Sequence, residues 1–255
     1  MPSRPVVLVT GAAKRLGRAI ALELAAHGHD VAVHYRSSEP EARATCAELE
    51  ALGARAAPFA AELADEAACR ALVPAVAARF GRIDAVVNNA SLFEFDSAAT
   101  FGVAAMERHW RANTAPAVLL AQALHAQDRP GCVVNILDQK LWNPNPDYFS
   151  YTLSKAALQA ATVMLAQALA PRLRVCGIAP GVTLPSDAMA AAEFDAVRKL
   201  TPLARSSTPD DIARSVRFLI ESPAITGTTL LVDGGQHLAG QPRDVLFLAR
   251  DAEAR

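Results

Sequence analysis

The feature that most constrains the fold is a regular alternation of short apolar runs with longer helical patterns. The apolar runs are rich in β-branched residues and predict seven strands, which start at about Val6, Val31, Ala54, Ile83, Cys132, Leu173 and Thr229. Seven helices are predicted between them, over about 15–27, 40–52, 65–80, 105–127, 149–170, 186–199 and 209–221. Repeated strand–helix units with short glycine-containing turns are typical of a parallel sheet covered by helices on both faces.

This pattern predicts an α/β fold with a single doubly wound parallel sheet of the Rossmann type. No composition shift or linker divides the 255 residues, so one domain is expected over 1–255. Its core is expected at about 6–235, followed by a C-terminal tail at 236–255. The tail can either cover a neighbouring subunit or fray, and the sequence leaves both open.

Charge and composition exclude several classes of function. The formal net charge is −1 and no basic cluster is longer than Lys14-Arg15, so no nucleic-acid partner is expected. The four cysteines and six histidines show no metal-binding spacing, so no metal is expected. No apolar run reaches the roughly 18 residues that span a bilayer, and the strand at Val6 leaves no room for a targeting peptide. A cytoplasmic protein with a small-molecule substrate and no membrane partner is therefore expected.

Ligands of doubly wound sheets bind beyond the carboxyl ends of the strands. The first strand is followed there by a glycine-containing turn from Gly11 to Gly17, which leads into a helix. Unpaired N–H groups and the helix dipole at such a turn attract phosphate. Gly11 permits the tight turn and Gly17 permits a close approach of the backbone, although any strand-to-helix turn favours glycine.

The second strand ends in the segment His34-Tyr35-Arg36-Ser37-Ser38, which lacks an acidic residue. An acid at this point would hold the ribose 2′-OH of NAD, whereas a guanidinium and hydroxyls suit the 2′-phosphate of NADP. Lys14 or Arg15 can supply a second cation. The segment therefore predicts NADPH as the cofactor, the alternative being that Arg36 is a solvated surface residue.

Tyr151 and Lys155 are four residues apart in a predicted helix, so their side chains share one face. A phenol with a pKa of about 10 is a poor proton donor at neutral pH unless a nearby cation stabilises its phenolate. Opposite unit charges roughly 4 Å apart gain on the order of 4 kcal/mol at an effective dielectric of about 20, or up to about three pKa units. Only four of the 25 basic residues are lysines, which favours a role that arginine cannot fill. An incidental Tyr and Lys on an exposed helix is the alternative.

Together these residues resemble the short-chain dehydrogenase/reductase family over about Val6 to Gly235. The matching motifs are Thr10-Gly11 with Gly17, Asn88-Asn89-Ala90, Asn113, Tyr151 with Lys155, Pro180-Gly181, Pro202-Leu203-Ala204-Arg205 and Val232-Asp233-Gly234-Gly235. The resemblance implies that Tyr151 is the proton donor and that Lys155 holds the nicotinamide ribose and lowers the tyrosine pKa. It also implies that Asn113 orders a water and backbone near the lysine. A homotetramer is implied too, built partly on the helices around 105–127 and 150–170.

The cofactor contacts that the family resemblance and the turn chemistry predict are Gly11, Lys14, Arg15, Leu16, Gly17, His34, Tyr35, Arg36, Ser37, Glu62, Leu63, Asn89, Ala90, Ser91, Tyr151, Lys155, Pro180 and Gly181. Two positions depart from the family pattern: Arg15 replaces the middle glycine of the first turn, and Asp138 replaces the catalytic serine thirteen residues before Tyr151. Both departures are similar to the pteridine reductase and dihydromonapterin reductase branch. The segment from Asn89 to Phe93 is also similar to that branch, in which a phenylalanine sandwiches the pterin ring against the nicotinamide. The implied substrate contacts are Arg15, Ser91, Phe93, Asp138 and Tyr151.

The chemistry of Asp138 favours the same substrate. A carboxylate beside the developing alkoxide of a ketone would be repulsive. A dihydropterin instead offers N–H donors to a carboxylate, and a protonated Asp138 can relay a proton to the ring nitrogen while hydride enters the adjacent carbon. Burial beside Tyr151 would raise the pKa of Asp138. The alternative is that Asp138 only caps a loop amide.

The function expected is NADPH-dependent reduction of a dihydropterin C=N bond to the tetrahydro form, as in folate metabolism, with dihydromonapterin, dihydrobiopterin or dihydrofolate as the substrate. Two alternatives stay open. One is a reductase of the same family that acts on another C=N, C=C or carbonyl compound. The other is a non-catalytic NADP(H)-binding regulatory protein, which has no reason to keep Asn113, Tyr151 and Lys155 together.

Overall fold

The computed structural model describes residues 4–185 and 190–248. The strands are β1 Val6–Val9, β2 Asp30–Tyr35, β3 Ala56–Ala60, β4 Ala85–Asn88, β5 Gly131–Ile136, β6 Leu173–Pro180 and β7 Thr229–Val232. The α-helices are α1 Arg15–Ala26, α2 Glu39–Ala51, α3 Glu66–Phe80, α4 Val103–His109, α5 Ala115–His125, α6 Phe149–Ala168, α7 Ala191–Arg198 and α8 Pro209–Glu221. All seven predicted strands are present, and residues 186–189 of the helix predicted at 186–199 lie outside the described residues.

The seven strands form one parallel sheet in the order β3-β2-β1-β4-β5-β6-β7. The predicted doubly wound sheet is therefore confirmed. The chain builds outward from β1 to β3 and then returns to place β4 on the other side of β1. This reversal of strand order opens a crevice at the carboxyl ends of β1 and β4, where such sheets bind ligands.

Both faces of the sheet are covered by helices, which explains the unbroken apolar runs of the strands. In β1, Val7 and Val9 belong to the core on one face, and Val6 and Leu8 belong to the core on the other. The first core includes residues of α1, α2 and α8, and the second includes residues of α3 and α5. Because all four β1 side chains have no exposed surface, each contributes about 1.5–3 kcal/mol of burial free energy.

The helix predicted over about 105–127 is present as α4 and α5, which are joined without a gap by a short helical segment of different geometry. A π-helical segment, Trp110–Thr114, separates α4 from α5. Pro116 gives the reason, because in an α-helix its ring would clash with the carbonyl of Ala112 and it has no N–H to donate. Asn113 lies in this π-helical segment. Short π-helical segments are frequent at functional sites. The spacing of apolar residues in the sequence does not reveal the one extra residue in the turn of this π-helical segment.

Candidate active site

The turn between β1 and α1 is built for close contact with a ligand. Gly11 has a positive φ of 64°, and a Cβ on Gly17 would lie 2.2 Å from the carbonyl oxygen of Gly11. A side chain at Gly17 would therefore fill the turn. Lys14 is the N-cap of α1, and its side chain makes no capping hydrogen bond. The first N–H groups of α1 thus remain available to an anion.

Arg15 occupies the same turn in a conformation that favours glycine. Its φ is +55°, in the left-handed region, which costs roughly 1–2 kcal/mol for a residue with a side chain. The guanidinium Nη2 donates to the carbonyl oxygen of Pro185 at 2.6 Å. Arg15 thereby joins the turn after β1 to the loop after β6.

Neighbouring strands hold this turn in place. The Asn89 side-chain amide donates to the carbonyl of Thr10 at 2.9 Å, and the N–H groups of Asn89 and Ala90 donate to the Thr10 hydroxyl at 2.9 and 3.0 Å. From β2, His34 accepts the Gly11 N–H through Nδ1 at 3.0 Å. The turn is therefore fixed by side chains from three strand ends.

The structure corrects the role expected for His34. Its Nε2 lies 3.1 Å from the carbonyl of Ala61, and only 2% of the residue is exposed. Burial lowers the pKa of His34, although the Ala61 carbonyl and the charge of Glu62 act in the opposite direction. The ring is neutral with its proton on Nε2, so His34 supports the turn from within instead of contacting a cofactor.

The other residues after β2 and β3 divide into exposed and buried ones. Arg36 and Ser37 are exposed, and Arg36 Nη1 lies 3.9 Å from Glu62 Oε2. Tyr35 is half-buried, whereas Leu63 is only 8% exposed and packs in the core beside α3. Arg36 and Ser37 are thus accessible to a phosphate.

Asp138, Tyr151 and Lys155 come together at the end of β5. Tyr151 Oη donates to Asp138 Oδ2 at 2.9 Å, and Asp138 Oδ1 accepts the N–H of Lys140 at 2.8 Å. The ammonium of Lys155 donates to the carbonyl of Ile136 at 2.8 Å. Tyr151 and Lys155 are 7% and 3% exposed, so their chemistry is set by the protein interior.

Burial changes the acidity of all three groups. It raises the pKa of Asp138, and the hydrogen bonds from Lys140 N–H and Tyr151 limit that rise. It also lowers the pKa of Lys155 to about 8, with Asp138 acting in the opposite direction. Burial and the neighbouring Asp138 raise the pKa of Tyr151 well above its ordinary value. The lowering of the tyrosine pKa expected from Lys155 stays a prediction, and in this arrangement Tyr151 is a neutral hydrogen-bond donor to Asp138.

Asn113 connects the loop after β4 to α6. Its Oδ1 accepts the N–H of Leu92 at 2.7 Å, and its Nδ2 donates to Leu92 O and Ser154 Oγ, both at 3.0 Å. The Ser91 hydroxyl also reaches Asn113 Oδ1 at 3.3 Å. Asn113 therefore positions the loop that carries Ser91 and Phe93, and no direct hydrogen bond joins it to Lys155 among the described residues.

Phe93 lines the site as part of an aromatic group. Its ring stacks on Tyr148 with centroids 4.1 Å apart and planes inclined by 15°, and it meets Tyr151 edge-on at 4.7 Å. Phe93 is nevertheless 47% exposed. Because Tyr148 covers one face, a flat ligand can stack only on the other face of Phe93.

These residues surround a cleft of about 330 Å³, at the lower end of the roughly 300–1,000 Å³ typical of small-molecule sites. The predicted residues that line it are Arg15, Leu16, Asn89, Ser91, Phe93, Asp138, Tyr151, Lys155, Pro180 and Gly181. Within residues 4–185 and 190–248, no cluster of three or more His, Cys, Asp or Glu could hold a metal. The same residues contain no helix long and apolar enough to cross a membrane.

The sequence did not identify several residues of the cleft. Gln139 lines it and is 8% exposed, yet its Oε1 has no hydrogen-bond partner among the described residues. Lys140 is 4% exposed and donates through Nζ to the carbonyl of Asp147 at 2.5 Å. Asp244 and Leu246 come from the C-terminal tail. The one signal for these residues in the sequence was that lysine is rare in this chain and that Lys140 is one of the four lysines.

Comparisons with known proteins agree with this architecture. A family model described as enoyl-(acyl carrier protein) reductase matches residues 11–237. The structure is similar to FolM alternative dihydrofolate reductase 1 from Brucella canis complexed with NADP, with 42% identity, a TM-score of 0.90, and coverage of 96% of this chain and 98% of that one.

Two curated relatives have other names. An L-rhamnose 1-dehydrogenase (NAD(P)(+)) from Sphingomonas sp. (strain SKA58) is 32% identical over 91% of this chain and 96% of its own. A 3-oxoacyl-(acyl-carrier-protein) reductase from Synechocystis sp. is 33% identical over 90% and 96%. Since these relatives differ in substrate, the choice among substrates depends on the residues of the cleft.

Proposed function

The chain belongs to the short-chain dehydrogenase/reductase family, and we propose that it reduces the C=N bond of a dihydropterin to the tetrahydro form with hydride from NADPH. The observation that carries this proposal is the hydrogen bond from Tyr151 Oη to Asp138 Oδ2 at 2.9 Å. It places a carboxyl group where a ketone reductase of the resembled family has a serine hydroxyl. The named activity of the similar Brucella canis protein supports the same substrate class.

Asp138 suits a nitrogen-containing ring better than a ketone. Because burial raises its pKa, Asp138 keeps a proton to higher pH than an exposed aspartate does. In that form it can donate to a ring nitrogen, and in the ionised form it can accept a ring N–H. Tyr151 donates a hydrogen bond to the carboxylate that remains, and the proton on Asp138 is replaced from solvent. An ionised carboxylate would instead oppose the negative charge that develops on a ketone oxygen.

The walls of the cleft suit a flat polar heterocycle. The uncovered face of Phe93 can hold the ring, and such stacking is worth about 1–3 kcal/mol. The amide of Gln139 offers a donor and an acceptor, which match the N–H and C=O groups on the edge of a pterin. Arg15 and Ser91 complete the polar lining.

The residues around the first turn fit NADPH. The contact between Gly17 and Gly11 leaves room only for backbone, and the uncapped start of α1 can receive the pyrophosphate. Arg36 and Ser37 are accessible for a 2′-phosphate, and the exposed Arg36–Glu62 ion pair is weak enough to be displaced. Lys155 would hold the nicotinamide ribose. The similar Brucella canis structure contains NADP, in support of this cofactor.

The test is NADPH consumption with dihydromonapterin, dihydrobiopterin and dihydrofolate, measured beside a panel of ketones and imines and repeated with NADH. We expect turnover of at least one dihydropterin and a clear preference for NADPH. Reduction of ketones without any dihydropterin would contradict the proposal and favour a carbonyl reductase. Tight NADPH binding with no turnover of any compound would favour a regulatory NADP(H)-binding protein.

A further inference from the structure

The N-terminus of α6 has no capping side chain from its own segment. Tyr148 occupies the N-cap position with a left-handed φ of 52°, and its side chain makes no capping hydrogen bond. Tyr151 follows in the first turn of the helix. The N–H groups of this turn have no partner within the helix, so a partner must come from elsewhere in the chain.

Asp96, which lies 54 residues before Ser150 in the loop after β4, is that partner. One carboxyl oxygen of Asp96 accepts the N–H of Ser150 at 2.9 Å, and the other accepts the Ser150 hydroxyl. The backbone carbonyl of Asp96 accepts the N–H of Phe149 at 3.2 Å. Asp96 and Ser150 are 7% and 0% exposed, so these bonds are shielded from water. The positive end of the dipole of α6 also stabilises a carboxyl group at this place.

The loop that ends at Asp96 carries Phe93, which lines the catalytic cleft. The beginning of this loop is held by Asn113, as described above. Its middle is held by His109, whose Nε2 accepts the N–H of Glu94 at 3.3 Å. Its end is held by Asp96, which leads directly to the first turn of α6. The loop and the catalytic helix are therefore fixed to each other at the point where the helix begins.

The relative position of the loop and the helix matters for the proposed reaction. The Phe93 ring meets the Tyr151 ring edge-on with centroids 4.7 Å apart, and the Tyr151 hydroxyl donates to Asp138 at 2.9 Å. A ring stacked on Phe93 must present its reacting atoms to the pair of Asp138 and Tyr151. A displacement of about 1 Å between such groups can cost on the order of 10²-fold in rate.

We propose that Asp96 is a positioning residue, which fixes the loop that carries Phe93 to the turn of α6 that carries Tyr151. This inference rests on the proposed function, because it concerns the distance between the stacked substrate and the groups that handle its proton. Asp96 is not one of the described residues that line the cleft, so it acts through Ser150 and the backbone of α6. It therefore governs the chemical step and leaves the binding of NADPH at the turn between β1 and α1 unchanged.

Two substitutions of Asp96 test the inference in the full-length protein. Asp96→Ala removes both side-chain bonds to Ser150. Asp96→Asn is the conservative variant, because its amide oxygen can accept the Ser150 N–H and its amide nitrogen can donate to the Ser150 hydroxyl.

The matched control is Asp30→Ala. Asp30 is 1% exposed, and like Asp96 it accepts one backbone N–H and one side-chain donor, in this case both from Arg55 at 2.8 and 2.6 Å. Asp30 is the first residue of β2, so it lies at the opposite end of the sheet from the cleft. The control therefore loses a similar pair of buried hydrogen bonds without disturbing the site.

The measurements are kcat and KM for the dihydropterin that the wild type reduces fastest, the Kd for NADPH, and the melting temperature of each variant. We expect Asp96→Ala to lower kcat by about tenfold or more, with a smaller change in KM and an NADPH Kd within about twofold of wild type. Asp96→Asn should keep kcat within about threefold of wild type, because both hydrogen bonds can form again. Asp30→Ala should melt at a lower temperature and keep the wild-type kcat.

Four results would overturn the inference. They are a folded Asp96→Ala protein with wild-type kcat, an Asp96→Asn protein that loses as much kcat as Asp96→Ala, an Asp96→Ala protein that loses NADPH affinity in the same proportion as kcat, and a control that loses as much kcat as Asp96→Ala. If Asp96→Ala does not fold, Ser150→Ala replaces it. That variant removes only the hydroxyl donor, and its kcat should fall by about fivefold, the rate equivalent of roughly one hydrogen bond. An unchanged kcat in Ser150→Ala would overturn the inference too.

A failure of the proposed function gives a different result. If the wild type reduces carbonyl compounds and no dihydropterin, the dihydropterin proposal fails, and the same variants are compared with the carbonyl compound that is reduced fastest. A wild-type kcat for Asp96→Ala in that comparison overturns the positioning role as well. A wild type that turns over no compound overturns both.

Discussion

At the scale of single residues, Asp138 and Lys155 show how burial sets chemistry. Both side chains face the same cleft, and both have pKa values displaced toward the neutral form, upward for the acid and downward for the amine. Each displacement is caused mainly by the loss of water around the charged form. The site is therefore expected to be sensitive to pH in the range where free aspartate and lysine would not titrate.

The first prediction concerns Asp138→Ser, which restores the hydroxyl usual in the resembled family. We expect dihydropterin turnover to fall by roughly 10²-fold or more, the scale for losing a positioned proton-transfer group. Because the protonated acid is the donor, wild-type kcat/KM should fall as pH rises through the raised pKa of Asp138. Profiles of kcat/KM measured from about pH 5 to about pH 9 should lack this fall in the Asp138→Ser protein.

Asp138→Asn is the matched control for this prediction. Its amide oxygen can still accept from the Lys140 N–H and its amide nitrogen can donate to Tyr151 Oη, but the amide cannot give a proton to the substrate. NADPH affinity should be unchanged in both variants, which shows that the site is folded. If both variants keep wild-type turnover and pH profile, Asp138 serves only to cap the backbone after β5.

The second prediction uses the lowered pKa of Lys155. Its ammonium is charged below a pH of about 8 and neutral above it, so NADPH binding should weaken as pH rises through that value. We expect Kd, followed by NADPH fluorescence, to increase by about tenfold between about pH 7 and about pH 9.5, the scale of a lost charged hydrogen bond. Lys155→Met should bind weakly with a Kd that does not change in this window. A wild-type Kd that stays constant would show that Lys155 titrates near its ordinary pKa.

At the scale of elements, the turn from β1 into α1 combines strain with function. Arg15 adopts a left-handed backbone in which glycine carries no penalty, and its guanidinium reaches Pro185 across the cleft. The charge at this position thus comes at a cost in stability. Functional sites commonly keep such strained residues.

The third prediction is that Arg15→Gly separates these two effects. The free energy of unfolding should rise by about 1 kcal/mol, because the left-handed strain is removed. The KM for the dihydropterin should increase at the same time, because a cation has left the cleft. Urea unfolding and steady-state kinetics measure the two quantities. Arg15→Lys keeps the strain and the charge, so an Arg15→Gly protein that unfolds more easily than Arg15→Lys would contradict this account.

At the scale of the whole molecule, α6 carries an exposed apolar stripe. Leu153, Val163 and Met164 are 41%, 43% and 66% exposed, and the exposed Ala156 and Ala160 lie between them on the same side. Contiguous apolar surface of this kind is typical of an interface, and a second copy related by a two-fold axis would cover it. The stripe supports the homotetramer proposed from the family resemblance.

The fourth prediction is that Met164→Arg weakens this assembly. Wild-type protein should have the mass of a tetramer by light scattering, and the variant should dissociate to smaller species, because a charge would be buried in the interface. Leu52→Arg is the matched control, since Leu52 is 46% exposed at the end of α2, away from the stripe. A monomeric wild type, or a variant with the same mass as wild type, would refute the proposed interface.

The sequence by itself determined the features that depend on neighbouring residues. The seven apolar runs became seven parallel strands, and Gly11 and Gly17 stand where a turn must be tight and close to its neighbour. Tyr151 and Lys155 share a helix face because α-helical geometry places residues i and i+4 together. These predictions succeeded because periodicity, turn geometry and helix spacing act over a few residues.

Only the tertiary structure decided which distant groups meet and how they ionise. Arg243 and Asp147 are 96 residues apart, and no local pattern pairs them. His34 became a support for the turn because the carbonyl of Ala61, the residue after β3, accepts a hydrogen bond from its second nitrogen. The pKa values of Asp138, Tyr151 and Lys155 follow from the water excluded by several packed elements together. Burial is a property of the assembled fold, and the acidity of the site depends on it. The fold also brings Asp244 and Leu246 of the C-terminal tail to the cleft.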